Sequence, residues 1–306
     1  MTMLNTKRFS KRQTRRIIWS YVFLTPQLVL YLTLTIVPLF LAVPLLFTDR
    51  ANYTDIDWEY IGFGNFQELV QDDSTRSIYL SALGRTARFT ALNYAMVYLF
   101  GLGLALLMYE VGFRGGLFSV IYLPYMLSGL ALGYMAVMLF SETTGTANLL
   151  LLKLGLIQNP FSIKKPEGTL VILPILMGWR WAGFYMAIFL AGLLSIPIET
   201  VEAAIVDGAS YFQRLFRVYF PQMMPAFIIA TIFALFNSFN VFDELVALGA
   251  LDFNKAAEFL AIVVFKFGFA ASRLSMGMTM AVVAFVPLTI LAIMLQRLQR
   301  RLQEYD

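Results

Sequence analysis

Residues Ser195–Pro221 read SIPIETVEAAIVDGASYFQRLFRVYFP, and this segment decides how the rest of the chain is arranged. Its local chemistry predicts two short helices separated by a turn. Pro197 suits a first helical turn, and Glu199 and Glu202 sit near the positive end of the first helix. Gly208 supplies the permissive backbone that ends it. Ser210 followed by Gln213 is a capping-box signature for a second helix, which is expected to end by Pro221. Tyr211, Phe212, Leu215 and Phe216 make that second helix far more apolar than a solvated loop requires. An apolar patch of this kind on a water-facing surface marks a partner or the membrane interface.

On both sides of this segment the chain is too apolar for water. It is 59% hydrophobic and 14% charged over 306 residues, which leaves too little polar surface to cover a soluble globule. An apolar run from about Ile17 to Phe47 follows six basic residues, Lys7, Arg8, Lys11, Arg12, Arg15 and Arg16. It exceeds the roughly 7–15 residues of a signal-peptide core and reads as a retained first span, with Pro26, Pro38 and Pro44 kinking it or marking its ends. Five more stretches reach the roughly 20 residues needed to cross a bilayer, near 83–109, 116–140, 169–195, 222–248 and 275–297. A seventh apolar run, about Ala256 to Ala270, contains Glu258 and Lys266 and is expected to lie at the interface or partly buried without spanning.

Six spans put both termini on one side of the membrane. Placing them in the cytoplasm assigns twelve of the basic residues counted, including Arg114, Arg214 and Arg217, to the inside and eight to the outside. The acidic 48–81 connection, with Asp49, Asp55, Asp57, Glu59, Glu68, Asp72 and Asp73, fits the outer face. The chain has no cysteine and no histidine, so disulfides, thiolate nucleophiles, histidine metal sites and histidine pH switches are excluded. The basic residues cluster at the chain ends and not along one soluble face, which argues against nucleic acid. No metal and no cofactor are expected. No internal repeat or soluble domain is evident: residues 1–16 read as a basic cytoplasmic N-terminus and 17–306 as one transmembrane domain.

The central segment resembles the "EAA" motif of ABC-importer permeases, E-A-A-x-x-x-G followed by a downstream apolar-x-L-P. Here it stands as Glu202-Ala203-Ala204, Asp207-Gly208-Ala209, Phe216 and Phe220-Pro221, with Val218 for the usual Ile and Phe220 for the usual Leu. The chain is also similar to the maltose-type first permease of sugar importers at Thr25-Pro26, Gly64-Asn65-Phe66, Phe113-Arg114, Leu123-Pro124, Gly145 to Asn148, and Leu190 to Pro197. It departs at Gly249-Ala250-Leu251-Asp252, where many relatives have a G-G-P turn. The resemblance implies an all-α integral membrane protein of the type I ABC importer permease fold, with six transmembrane helices and a cytoplasmic coupling helix in the 195–221 loop. It implies that Glu202, Ala203, Ala204, Asp207, Gly208 and Ala209, with Tyr211, Phe212 and Phe216 beside them, dock into an ATP-binding subunit. The alternative for this loop is an amphipathic surface helix with a glycine turn.

Within the spans, Asn237, Asn240 and Glu244 recur at i, i+3 and i+7 with Asp243 beside them, which predicts one polar stripe on a helix. Amides and carboxylates hydrogen-bond sugar hydroxyls, so the stripe is a candidate translocation path. The alternative is interhelical packing for the asparagines and a hydrated helix end for the acids. Trp181 and Tyr185, with Trp179 and Arg180, either stack on a sugar or form an aromatic belt from which Arg180 snorkels. Arg85 and Arg88 either snorkel or meet an acidic partner.

There is no G-x-x-x-x-G-K-[ST] phosphate cradle in the sequence, so energy would come from another polypeptide. The resemblance implies a bacterial inner-membrane heterodimer with a related permease, two ATP-binding subunits and an extracytoplasmic solute-binding protein. The chain itself would not be an enzyme. The competing readings are an ion-coupled secondary transporter, in which Asp243 and the stripe would bind a proton or cation, and an ABC permease for a non-sugar solute.

Overall fold

A computed structural model of the chain describes residues 11–112, 115–252 and 254–303. Lys7, Arg8, Phe113 and Arg114 lie outside the described residues. Thirteen helices carry the described fold. α1 is Trp19–Phe47, preceded by a helical lead from Lys11. It is followed by α2 (Gly64–Gln71), α3 (Asp73–Val111), α4 (Gly115–Met126), α5 (Gly129–Leu139), α6 (Thr146–Lys153) and α7 (Pro166–Leu194). The second half comprises α8 (Ile198–Val206), α9 (211–222), α10 (Met224–Phe239), α11 (Asp243–Ala247), α12 (Leu260–Ala270) and α13 (Leu274–Gln303).

Five helical stretches are long and apolar enough to cross a membrane, and α4 with α5 makes a sixth when the bent pair is taken as one crossing. α1 buries none of its 18-residue apolar window against the rest of the chain. A face so apolar requires lipid or another apolar protein around it. Of the prolines of α1, Pro44 marks its end and the other two do not. The helix continues through Pro26 and widens into a π turn at Leu32–Ile36 just before Pro38, and Pro44 opens a 3₁₀ turn at its end. A π turn moves the preceding carbonyls out of the ring's way, so the chain passes a proline without breaking.

Several expected boundaries change. α3 begins at Asp73, ten residues before the expected second span, because Asp72 caps it: its carboxylate accepts from the Thr75 N–H at 2.7 Å. That bond holds the Asp72 carboxyl below its usual range. The third stretch is not one helix. It bends by 88° between α4 and α5, where Pro124 cannot donate and the Ser128 hydroxyl restarts the helix by accepting from the Ala131 N–H. The fifth stretch breaks after Phe239, so Asn240 caps α10 and Asp243 opens a separate α11. The seventh run forms α12, too short at about 1.5 Å per residue to cross about 30 Å of hydrocarbon. It packs Leu260 and Val263 against Tyr79, Ala82, Met276 and Met280.

The motif residues of the connections after α1 and α5 are structural anchors. The Asn65 amide donates to the carbonyls of Leu46 (3.0 Å) and Thr48 (2.8 Å), tying α2 to the end of α1. Asn148 donates to the carbonyls of Ser141 and Phe161 and accepts from the Phe161 N–H, closing the 141–161 loop on itself. A side chain at Gly145 would meet three backbone atoms of Leu139 and Ser141 at about 2.5 Å, so no other residue fits there. Two large buried clusters lie along the bundle. One joins α3, α7 and α10 to the 195–221 segment; the other joins α5, α7, α11 and α12.

Candidate functional site

At one end of the bundle the 195–221 segment turns as its residue types require. Pro197 is the residue before α8 and not its first turn, since its ψ of 130° is extended. The end of α8 is a Schellman motif. The Gly208 N–H donates to Ile205 and the Ala209 N–H to Ala204, both at 3.0 Å, with Gly208 at φ +76°. The four-residue step from Ala204 to Gly208 is thus the step of that cap, which explains the A-x-x-x-G spacing physically. Ser210 and Gln213 then make the expected reciprocal capping box. The second helix does not end by Pro221. It runs to Gln222 through a π turn at Leu215–Tyr219, the same device that carries α1 past Pro38.

The segment is held by one face and displays the other. Val201, Leu215 and Tyr219 are buried in the core cluster with Met108, Leu193 and Met223. Glu202, Ala203, Asp207, Gly208, Tyr211, Phe212 and Phe216 are exposed, and Ala204 and Ala209 are half-buried. Ile205, Val206 and Phe212 add large apolar surface, with Val206 86% and Phe212 69% exposed. A segment whose backbone caps are closed and whose apolar side chains face outward is shaped for a partner.

The second candidate region lies between α5, α7, α10 and α11. There a cavity of about 210 Å³ is lined by Arg180, Trp181, Asn237, Asn240, Asp243 and Glu244. The expected single helical stripe is not what gathers these residues. The helix breaks at 240–242, and the break turns Asn240, Asp243 and Glu244 into one cavity from two helices. Tyr185 does not line the cavity. It is 1% exposed, buried in the cluster that joins α3, α7 and α10.

Arg180 does not snorkel. It sits fourteen residues inside α7, which begins at Pro166, and its guanidinium pairs with Glu244 at 2.7 Å, with side chains 14% and 7% exposed. The Arg180 guanidinium also lies 5.6 Å from the Trp181 ring centre, and that ring packs edge-on against Tyr125 and Phe184. Among the described residues, the Arg180 Nε and Trp181 Nε1 are buried without a hydrogen-bond partner. Other polar residues join the helices. Asn93 donates to Ser238 at 2.9 Å, and Tyr94 and Tyr98 meet Thr231.

Sequence reasoning missed Gly129 and Gly133. A methyl at Gly129 would come within 2.8 Å of Glu244 Oε1, and one at Gly133 within 2.7 Å of the Glu244 carbonyl. The first turn of α5 therefore abuts the Glu244 carboxylate, where the positive end of a helix stabilises charge. The available signal was an opposite pair of charges, Arg180 and Glu244, in two otherwise apolar stretches.

Apolar crossings, a polar cavity between them and an outward-facing capped segment at one end define the class: an integral membrane transport protein. Residues 97–304 match the family described as binding-protein-dependent transport system inner membrane component. The chain belongs to that family. It is 26% identical over 284 residues to a probable starch degradation products transport system permease of Thermoanaerobacterium thermosulfurigenes, covering 90% of this chain and 92% of that one. It is 28% identical over 242 residues to a trehalose transport system permease of Mycobacterium tuberculosis, covering 78% and 75%. Its fold is similar to a chain of a bacterial ABC transporter involved in import of the acidic polysaccharide alginate, with TM-score 0.77, 23% identity, and 95% and 98% coverage.

Proposed function

We propose that this chain forms half of the translocation path of an ATP-binding-cassette importer for a sugar or sugar-like solute. A second related permease completes the path, two ATP-binding subunits hydrolyse ATP, and an extracytoplasmic binding protein delivers the solute. The observation that carries the reading is the 195–221 segment, anchored through Val201, Leu215 and Tyr219 and presenting Phe212, Phe216 and the Gly208 turn outward. Both termini lie in the cytoplasm with this segment, because six crossings return the chain to its starting side. Residues 1–16 are the basic cytoplasmic N-terminus and 17–306 the transmembrane permease domain. Glu202, Ala203, Ala204, Asp207, Gly208 and Ala209, with Tyr211, Phe212 and Phe216, dock on the ATP-binding subunit.

The cavity of Arg180, Trp181, Asn237, Asn240, Asp243 and Glu244 forms this chain's part of the solute path. Unspent N–H donors beside an aromatic wall suit a ligand rich in hydroxyl oxygens. The names of the starch-product and trehalose permeases support a carbohydrate. Pairing of Glu244 with Arg180 leaves that carboxylate already neutralised, which disfavours the ion-coupled alternative.

The test is affinity purification of the tagged chain from its native membrane, identification of co-purifying subunits, and ATPase assay with and without candidate sugar-binding proteins. A second permease and an ATP-binding protein should co-purify, and a loaded binding protein should raise ATP turnover. A chain that purifies alone and transports on an ion gradient would overturn the reading. In the same reconstituted complex, Asn237→Ala with Asn240→Ala should weaken solute-stimulated uptake about tenfold, as expected for two lost ligand hydrogen bonds, while expression holds. Unchanged transport kinetics would return both asparagines to packing.

A further inference from the structure

At the end of the bundle opposite the 195–221 segment, α3, α12 and the loop before α12 enclose a second cavity, of about 380 Å³. Its polar lining is Ser77, Ser81, Arg85, Lys255, Glu258 and Lys266. Ser77, Ser81 and Arg85 fall four residues apart and so share one face of α3, one turn above another. Three cationic groups face a single carboxylate, and that carboxylate is already used by Lys266 at 2.7 Å. Among the described residues, Arg85 donates only its Nε–H, to the Glu258 backbone carbonyl at 2.9 Å. A guanidinium has five N–H donors, so four remain. The Lys255 ammonium has no hydrogen-bond or ion-pair partner among the described residues. The cavity is therefore a place with donors and positive charge in excess.

Its depth identifies the class of ligand. α3 has 39 residues and is about 58 Å long, against about 30 Å of hydrocarbon, so it must project well beyond the apolar layer. No charge interrupts α3 from Phe89 to Tyr109, about 31 Å of helix, so Arg85, Ser81 and Ser77 fall just outside that apolar stretch, at headgroup level. Keeping unpartnered cations there is costly unless an anion or water meets them. Ile78, in the cavity wall, is an exposed apolar side chain suited to an acyl chain, and Leu80 and Phe269 on α3 and α12 are exposed as well. An oxygen-rich tetrahedral anion uses the fork of Arg85, the Lys255 ammonium and the serine hydroxyls together.

We propose that this cavity binds a phosphate group at the membrane surface opposite the coupling segment. The source is either the headgroup of an anionic phospholipid or a free phosphate anion. The site is independent of the solute path and of the identity of the transported solute.

The test uses the whole transporter complex, in detergent, as wild type, Lys255→Gln, Arg85→Gln and Arg85→Lys. Each is titrated with phosphatidylglycerol, phosphatidylcholine and, separately, inorganic phosphate, with binding read by native mass spectrometry and by shift of the inactivation temperature. Phosphatidylglycerol should bind wild type more tightly than phosphatidylcholine, and each Gln variant should weaken it about tenfold, the loss expected for one charge-assisted hydrogen bond. Arg85→Lys should retain most of the binding. Lys255 is exposed and its ammonium makes no hydrogen bond or ion pair among the described residues, so Lys255→Gln keeps the fold and the test stands even if Arg85→Gln misfolds. Binding of inorganic phosphate with the same variant dependence, and no preference among the lipids, would support the phosphate site and assign it to a free anion. Equal affinity of wild type and Lys255→Gln for both probes, or no binding of either to wild type, would overturn the proposal.

Discussion

Replacing Arg180 or Glu244 singly by alanine is expected to destabilise the protein by about 3–5 kcal/mol, because each leaves its partner charged, buried and alone. The pair joins the middle of α7 to the first turn of α11, with side chains 14% and 7% exposed. Nothing else in the described chain ion-pairs with either group. In a protein of this size such a loss should lower the inactivation temperature by roughly ten degrees, read as the fraction remaining monodisperse after heating in detergent. The double replacement Arg180→Met with Glu244→Leu should recover most of that stability, since two buried charges removed together leave no orphan. Solute uptake should stay low in the double variant, because Arg180 and Glu244 are also part of the cavity wall. Single variants as heat-resistant as wild type would mean that water already solvates both groups, and the buried-pair account would be wrong.

Gly208→Pro is expected to abolish uptake while leaving the chain inserted. Proline holds φ near −65°, whereas Gly208 sits at +76° and donates its N–H to Ile205. The substitution removes the Schellman cap, so α8 loses its end and Phe212 and Phe216 lose their position relative to Val201. Glu202→Lys reverses charge on the exposed face of α8 without touching the core. Losing a docking hot spot costs 2 kcal/mol or more, about thirtyfold in affinity, so both variants should uncouple ATP turnover from a loaded binding protein. Gly208→Ala should be milder, near the 1–2 kcal/mol cost of a left-handed alanine. Normal uptake by both Gly208→Pro and Glu202→Lys would refute the docking role of this segment.

The local features of the 195–221 segment were legible because they depend on near neighbours. The cap at Gly208 and the capping box at Ser210 each close within five residues. The apolar crossings were legible for a related reason, since a bilayer imposes a minimum apolar length on any segment that spans it. The errors fall where backbone bonds have partners outside the local pattern. Pro38 read as a kink or an end and Pro221 as an end, but π turns just before them carry the helix on. The polar triplet Asn237, Asn240 and Glu244 had helical spacing, yet the helix stops at Phe239.

Length, apolar periodicity and short-range capping were therefore determined by the sequence alone: a membrane protein with a rigid, outward-facing turn at Gly208 and no histidine or cysteine chemistry. Only the tertiary structure decided that Arg180 meets Glu244 across 64 positions, that Gly129 and Gly133 admit α11 against α5, and that Arg85 and Lys255 border one cavity. Local rules act through bonds between residues three to five apart. Burying a charge depends on which distant helix brings the opposite charge, and that is set by packing of the whole bundle.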